Sequence, residues 1–587
     1  MPQDQQSGPT LITVPADVPG VVSREVPGEV PGGAPDEPGF GPLADAGRHT
    51  EWPEDAAPTR QLDVLVVGAG FAGLYAVHRF RELGYTVRAL EVGSGVGGTW
   101  FWNRYPGARC DVESMEYSFS FSPELEQEWE WTERYPAQPE LLRYLQHVAE
   151  RFDLLRDIQL ETRVEAVVWH EADQAWRVTT DRGDRVQARY VVMATGNLSA
   201  ARIPDFPGLS EFRGETYHTA HWPAEGVDFT CRRVGVIGTG SSGTQAIPVI
   251  AEQAEHLTVF QRTANYSLPA QNRPLAPADQ HETKSRYPEL RRLMRYSRNG
   301  QTRTWNDRSA LAATDEERAA EYAARWQLGG GGFIGAFNDL LSNEEANETA
   351  AAFVRAKIRE IVADPAVAET LTPSGFPMGS KRVTVDTGYY ATYNRPNVTL
   401  VDVRSASIET LTEHGLRTTE AEYELDAIVF ATGFDAMTGA LLRVDVRGRG
   451  GLSLKEKWAA GPRTYLGVST AGFPNLFIVT GPGSPSVISN VVVSIEQHVE
   501  WISDLIEWLR KNDLAVVEAE TAAEDAWVEH VNEVAAGTLF VKGNSWYLGA
   551  NVPGKPRVFM PYVGGVGTYR RHCEEIAARD YEGFLAV

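Results

Sequence analysis

Two stretches of this 587-residue chain follow one plan: an apolar β-branched run, a turn with three glycines, a helical segment and a second apolar run. The first is LDVLVVGAGFAGLYAVHRFRELG followed by TVRALEV, with Gly68, Gly70 and Gly73 in G-x-G-x-x-G spacing. Leu74, Val77, Phe80 and Arg81 then recur at helical intervals, which predicts a helix with one buried face. The second is RRVGVIGTGSSGTQAIPVIAEQAEHLTVFQR, where Gly238, Gly240 and Gly243 repeat the turn. Glycines at this spacing allow a tight turn, close approach of the backbone to a pyrophosphate, and packing of helix on strand. The helix N-terminus presents unpaired N–H donors to the anion. The fold class implied is α/β with two Rossmann-like dinucleotide-binding domains.

The strand ends distinguish the two ligands. Glu91 closes the second strand of the first unit, where a carboxylate accepts hydrogen bonds from ribose hydroxyls. The corresponding place in the second unit carries Arg262 and Thr263. An arginine there makes charge-assisted bonds to a 2′-phosphate that an acid would reject, so NADPH rather than NADH is implied. A flavin in the first unit and a nicotinamide donor in the second then pass hydride between rings. These loops leave the next acceptor open between a disulfide, another oxidant and oxygen. The absence of a Cys-x-x-Cys pair disfavours the first.

Residues 1–58 hold 11 of the 34 prolines, including four Val-Pro pairs, and cannot bury enough apolar surface to offset their ordering entropy. We read them as a disordered extension. Residues 59–197 and 435–587 then form the FAD-binding domain, and residues 198–434 the NADP-binding domain with a helical insertion at about 275–370. Ala-Thr-Gly ends at Ala194 and Ala431 mark two chain crossings at one junction. The formal net charge of −24 argues against nucleic acid as a partner. Cys110, Cys231 and Cys573 are too few and too scattered for a disulfide framework or a metal site. No apolar run approaches the ~20 residues that cross a bilayer, and the first residues lack a signal-peptide pattern. A cytoplasmic protein without a membrane or metal is the expectation.

Phe212-Arg-Gly214-Glu-Thr-Tyr-His218-Thr-Ala-His-Trp222-Pro223 resembles the F-x-G-x-x-x-H-x-x-x-W-P motif of type I Baeyer–Villiger monooxygenases. The resemblance covers nearly everything after residue 55, through GVGGTWFWNRYPGARCDVES, GSKRVTVDTGYY, FATGFDAMTGAL, GPGSPSVISN and NVPGKPRVFMPYVGG, and points to the phenylacetone and steroid branch. It implies FAD, NADPH and dioxygen converting a ketone to an ester or lactone through a C4a-peroxyflavin. Arg382 matches the catalytic arginine, a permanent cation beside an anionic peroxide and alkoxide, and Asp111 the carboxylate that orients it. Taken alone, Lys381-Arg382 reads as a surface basic pair and Asp111 as a turn or cap residue.

The resemblance further assigns Lys381 to the 2′-phosphate, Thr99 and Trp100 to the flavin, and Arg104 to Gly107 to a turn leading to Asp111. It assigns Ser486, Val487, Ile488 and Trp546 to the substrate. His218 and Trp222 are expected in an interdomain linker that couples movement to catalysis, with a purely structural His218 as the alternative. Glycines 543, 549 and 554 serve either as hinges of a water-excluding loop or as ordinary loop glycines. The acidic extension is similar to that of sesquiterpenoid enzymes of pentalenolactone assembly, which implies a fused cyclic ketone. The competing readings are an N- or S-oxygenating flavin monooxygenase and a non-catalytic NADP-sensing flavoprotein.

Overall fold

The computed structural model describes residue 52 and residues 57–587. The disorder expected of residues 1–58 therefore falls almost wholly outside the described residues. Strand β1 (Arg60–Val67), helix α1 (Phe71–Glu82) and strand β2 (Val87–Leu90) form the first unit, with β1 and β2 parallel. They lie in an eight-stranded sheet ordered Asp445–Arg447, Val164–His170, Ala175–Thr180, Arg185–Met193, β1, β2, Ile158–Gln159. The upper half of Arg185–Met193 pairs in parallel with the eighth strand, Leu476–Ile478, so the C-terminal part of the chain returns to the first sheet.

Helix α1 departs from the expected single buried face: all its residues from Phe71 to Phe80 except Arg79 are buried. The long helix Val491–Lys511 covers the side turned away from the sheet, where Tyr75 donates to Glu500 (3.3 Å) and Arg79 Nε to Ser503 (3.1 Å). A helix packed on both sides needs no continuous polar stripe.

The second unit comprises β3 (Arg233–Ile237), α2 (Ser241–Gln253) and β4 (His256–Gln261). Its sheet has five parallel strands ordered Val398–Asp402, β4, β3, β5 (Ala427–Phe430) and Glu215–His218. Between β4 and β5 the chain makes the helices Pro277–Ser285, Tyr287–Tyr296, Asp315–Leu328, Glu344–Ile361 and Pro365–Leu371, the helical insertion. Local signals start them: Thr314 and Glu317 form a capping box, and the Asn343 side chain accepts from the Ala346 N–H. The two chain crossings run side by side beyond the Ala-Thr-Gly turns. Met437 N–H donates to Asn197 O (2.8 Å), Asp435 N–H to Ala200 O (2.8 Å) and Arg202 N–H to Gly433 O (2.9 Å).

Candidate active site

In the first loop Gly68 has φ +106°, and a Cβ there would stand 2.6 Å from the carbonyl oxygen of Ala194. A Cβ on Gly73 would collide with the carbonyl of Gly68, and one on Gly70 would lie 3.3 Å from the Cα of Gly98. Backbone thus closes on backbone around this turn. Buried Glu91 braces it, Oε2 accepting from the Ala69 N–H (2.7 Å) and Oε1 from the Gly93 N–H (2.8 Å). Burial pushes its pKa up against the lowering effect of those N–H groups. Each oxygen keeps a lone pair for a ribose hydroxyl, which fits the flavin nucleotide. Thr99 is exposed at the start of the short helix Thr99–Trp102, whereas Trp100 is buried edge-on to Tyr117 (5.9 Å) within the first domain's core.

The second loop has the same turn and a different setting. Gly238 has φ +111°, a Cβ there would stand 2.5 Å from the Ala431 carbonyl, and one on Gly243 would strike the Gly238 carbonyl. A Cβ on Gly240, however, would meet nothing within 4 Å. This gap before the N-terminus of α2 fits a phosphate. Arg262 is exposed just past β4, and Thr263 O accepts from Thr239 Oγ1 (3.3 Å). Asn265 Nδ2 donates to the Arg382 carbonyl (2.8 Å), which draws residues 381 and 382 to the same strand end. There the Lys381 ammonium sits over the Phe376 ring at 4.3 Å, and burial followed by repulsion from Arg262 lowers its pKa. Cations facing one another in this way suit an anionic ligand.

The Phe212–Pro223 motif is a packing and clasping element. Phe212 is buried in a core with Phe260 and Phe430, and a Cβ on Gly214 would run into its ring. Trp222 is buried against Tyr217 (5.4 Å) and Phe229 (6.1 Å). His218 Nδ1 accepts from the Ala220 N–H (3.1 Å), which assigns the proton to Nε2. Nε2 donates to the Arg202 carbonyl (3.2 Å), and Thr432 Oγ1, 3.1 Å from that nitrogen, donates to the same oxygen (2.7 Å). Burial pushes the His218 pKa down to about 4. A neutral imidazole therefore ties the strand Glu215–His218 to both chain crossings.

Asp111 and Arg382, 271 residues apart, meet as a bidentate pair: Nε to Oδ2 (3.0 Å), Nη2 to Oδ1 (2.8 Å) and to Oδ2 (2.6 Å). The Asp111 charge raises the Arg382 pKa more than burial lowers it, so the guanidinium is permanently charged. Its Nη1 donates to the Val487 carbonyl (2.6 Å), and nearby Tyr547 adds to the upward shift. Val487 belongs to the single turn Ser486–Ile488, and Val487, Ile488, Trp546, Tyr547, Met437 and Phe559 share one apolar cluster. Ser486 (φ +36°) and Met437 (φ +68°) hold left-handed backbone there, a conformation that costs about 1–3 kcal/mol and concentrates at functional sites. Gly543 works by close approach: a Cβ would strike the Ser380 carbonyl, so its absence lets the Trp546 segment lie against that of Arg382.

Two contributors escape sequence reading. Gln245 on α2 accepts from the Tyr105 hydroxyl (2.8 Å) and donates to the Arg109 carbonyl (3.0 Å), docking the turn that leads to Asp111 onto the second unit. Its place two residues after Gly243 was the available signal. The Tyr547 contact with Arg382 depends on a fold of the C-terminal loop that no local pattern announces.

A family model described as pyridine nucleotide-disulphide oxidoreductase matches residues 65–319. All three cysteines are nevertheless free, with Cys110 and Cys573 buried. The chain is 44% identical over 527 residues to a phenazine N-monooxygenase of Lysobacter antibioticus, covering 89% of this chain and 96% of that protein. It is 43% identical over 527 residues to a Baeyer-Villiger monooxygenase of Pseudooceanicola batsensis, with the same 89% and 96% coverage. Among solved structures, an oxidized steroid monooxygenase bound to NADP matches with a TM-score of 0.87 and 56% identity, over 90% of this chain and 99% of that one. Among the described residues, no group of His, Cys, Asp and Glu could hold a metal ion and no helix is long and apolar enough to cross a membrane.

Proposed function

The chain belongs to the Baeyer–Villiger monooxygenases, and we propose that its Arg382, oriented by Asp111, acts on a cyclic or polycyclic ketone. As a member of that family it depends on FAD and NADPH and inserts one oxygen atom of O2 beside a ketone carbonyl, giving an ester or lactone. We assign FAD to residues 59–197 with 435–587, on the first loop and Glu91, and NADPH to residues 198–434, on the second loop, Arg262, Thr263 and Lys381. The free cysteines support a reducing, cytoplasmic setting.

The observation that carries the reading is the bidentate Asp111–Arg382 pair against the Ser486–Ile488 turn. FAD reduced by NADPH supplies the activated oxygen. When that oxygen adds to a ketone, negative charge grows on the carbonyl oxygen, and a guanidinium fixed by Asp111 stabilises it with little reorganisation. Asp111 takes the Nε–H and one N–H of Nη2, and the Val487 carbonyl one N–H of Nη1, which leaves one N–H on each terminal nitrogen for the oxygen of a bound ketone. Val487, Ile488, Trp546 and Met437 supply an apolar wall that excludes water and receives a hydrocarbon ring system. The name of the 56%-identical neighbour, a steroid monooxygenase, supports a fused-ring framework, including a terpenoid one.

Purified enzyme given NADPH and a panel of terpenoid, steroid and aryl ketones, with phenazine alongside, tests this. We expect lactone or ester from a fused cyclic ketone, and a loss on the order of 10²–10³-fold in turnover for Arg382→Ala with flavin still bound. Product from phenazine alone, or ester formation undiminished in Arg382→Ala, would overturn the reading, because oxygen transfer to a soft nitrogen builds no alkoxide.

A further inference from the structure

We infer that Arg202 is a third cation of the coenzyme's 2′-phosphate subsite and helps set the preference for NADPH, its backbone held in place for that task by His218. No motif announces Arg202. Its position follows from the junction: its N–H donates to Gly433 O (2.9 Å), and its carbonyl accepts from His218 Nε2 (3.2 Å) and Thr432 Oγ1 (2.7 Å). Gly433 lies just past the end of β5, β5 adjoins β3, which runs into the Gly238–Gly243 loop, and β3 adjoins β4, past whose end lies Arg262. Gly433 is thus two strand spacings, roughly 10 Å, from Arg262 across the mouth of this loop, and Arg202, hydrogen-bonded to Gly433, is near enough for the two guanidiniums to repel.

The surroundings leave these charges to each other. Among the described residues, no ion pair joins a carboxylate to Arg202, Arg262 or Lys381, in a protein with 79 acidic residues and 55 basic ones. Burial, and after it repulsion from Arg262, weakens the proton affinity of both Arg202 and Lys381. Three cations gathered without a counter-ion are unfavourable until an anion enters. A phosphate monoester dianion on the ribose next to Arg262 answers that charge, and it is the one group NADPH has that NADH lacks. The side chain of Arg202 reads this phosphate while its carbonyl anchors the clasp, which links coenzyme recognition to the histidine of the Phe212–Pro223 motif.

This inference rests on the assignment of the second loop to NADPH, and the experiment separates the two. Calorimetric titration of the flavin-loaded enzyme would compare adenosine 2′,5′-bisphosphate with 5′-AMP in wild type, Arg202→Gln, Arg202→Lys and Arg262→Gln. Steady-state KM and kcat would be measured with NADPH and NADH. For Arg202→Gln we expect about tenfold weaker binding of the bisphosphate, the scale of one charge-assisted hydrogen bond. Binding of 5′-AMP should be unchanged, KM for NADPH should rise in parallel with kcat nearly constant, and Arg202→Lys should recover most of the loss. Equal weakening of both nucleotides would mean a contact to adenine or pyrophosphate and would overturn the inference, as would no change. If Arg262→Gln is equally silent, the loop assignment itself fails; if Arg262→Gln loses discrimination while Arg202→Gln does not, only the role of Arg202 fails.

Discussion

The two glycine loops share spacing and turn geometry and differ in what surrounds them. Gly68 and Gly238 both take positive φ beneath the carbonyl of an Ala-Thr-Gly turn, and Gly73 and Gly243 both lie against the carbonyl of the loop's first glycine. The middle glycine separates them: Gly70 faces the Cα of Gly98, whereas Gly240 faces open space. The strand-end residues diverge in the same direction, with Glu91 buried under two backbone N–H groups and Arg262 exposed. Backbone closed over a ligand slows its departure, while an open loop rimmed by cations lets a charged ligand come and go. On the proposed assignment, the closed turn suits an FAD that is retained and the open one a coenzyme that is exchanged, and the neighbours of one six-residue turn set which.

Valine at the middle glycine tests this most severely. In Gly70→Val the side chain meets backbone that cannot step aside, so we expect about 1–3 kcal/mol lower stability, as for overpacked sites, and protein that purifies without flavin absorbance. Gly240→Val puts its side chain into the open space before α2, where we propose the coenzyme's phosphate, with extended backbone that any residue adopts. It should keep its flavin and stay within about 0.5 kcal/mol of wild type, while KM for NADPH rises steeply. Loss of flavin from Gly240→Val would break the contrast.

The strand ends should separate next, by a smaller margin. Glu91→Gln keeps one acceptor oxygen but turns an amide N–H₂ toward an N–H that Glu91 had satisfied, leaving a buried donor unpaired at about 1–3 kcal/mol. Thermal melting and flavin retention should both fall. Arg262→Gln should leave both unchanged and raise KM for NADPH about tenfold without affecting NADH. A destabilised Arg262→Gln would show that the second strand end is structural after all.

These differences mark where sequence reading ends. The turns, the acid-for-cation exchange and the helical insertion were legible because each depends on residues within about 30 positions of one another. The resemblance named Asp111 and Arg382 and the orientation of one by the other; no local pattern could, because the pair spans 271 residues and meets only in the fold, as do the Val487 carbonyl and Tyr547 beside the guanidinium. Helix α1 misled for a related reason: periodicity in Leu74, Val77 and Phe80 reports one contact face and is silent about a second layer, Val491–Lys511, laid over the other. Gly70 and Gly240 are identical in the one-letter string, and only the coordinates separate a glycine that faces backbone from one that faces open space.

At the seam between the two regions the expected effect is smallest and its sign is set by burial. His218 is held neutral, its pKa pushed from the ordinary 6.5 down to about 4 by burial and by neighbouring His221. Between those values the unfolded chain binds the proton that the folded one refuses, so stability is fully present above pH 6.5 and is lost as pH falls toward 4. At pH 5.5 this amounts to about 1 kcal/mol, one pH unit of linkage. His218→Gln, whose amide can still donate to the Arg202 carbonyl, should show a shallower fall in melting temperature between pH 7.5 and 5.5 than wild type. Its kcat/KM against pH should keep the wild-type shape, because a side chain that stays neutral throughout the working range adds no inflection there. A new inflection near pH 6.5 lost in the variant would instead make His218 a titrating participant and erase the distinction between a clasp and a catalytic group.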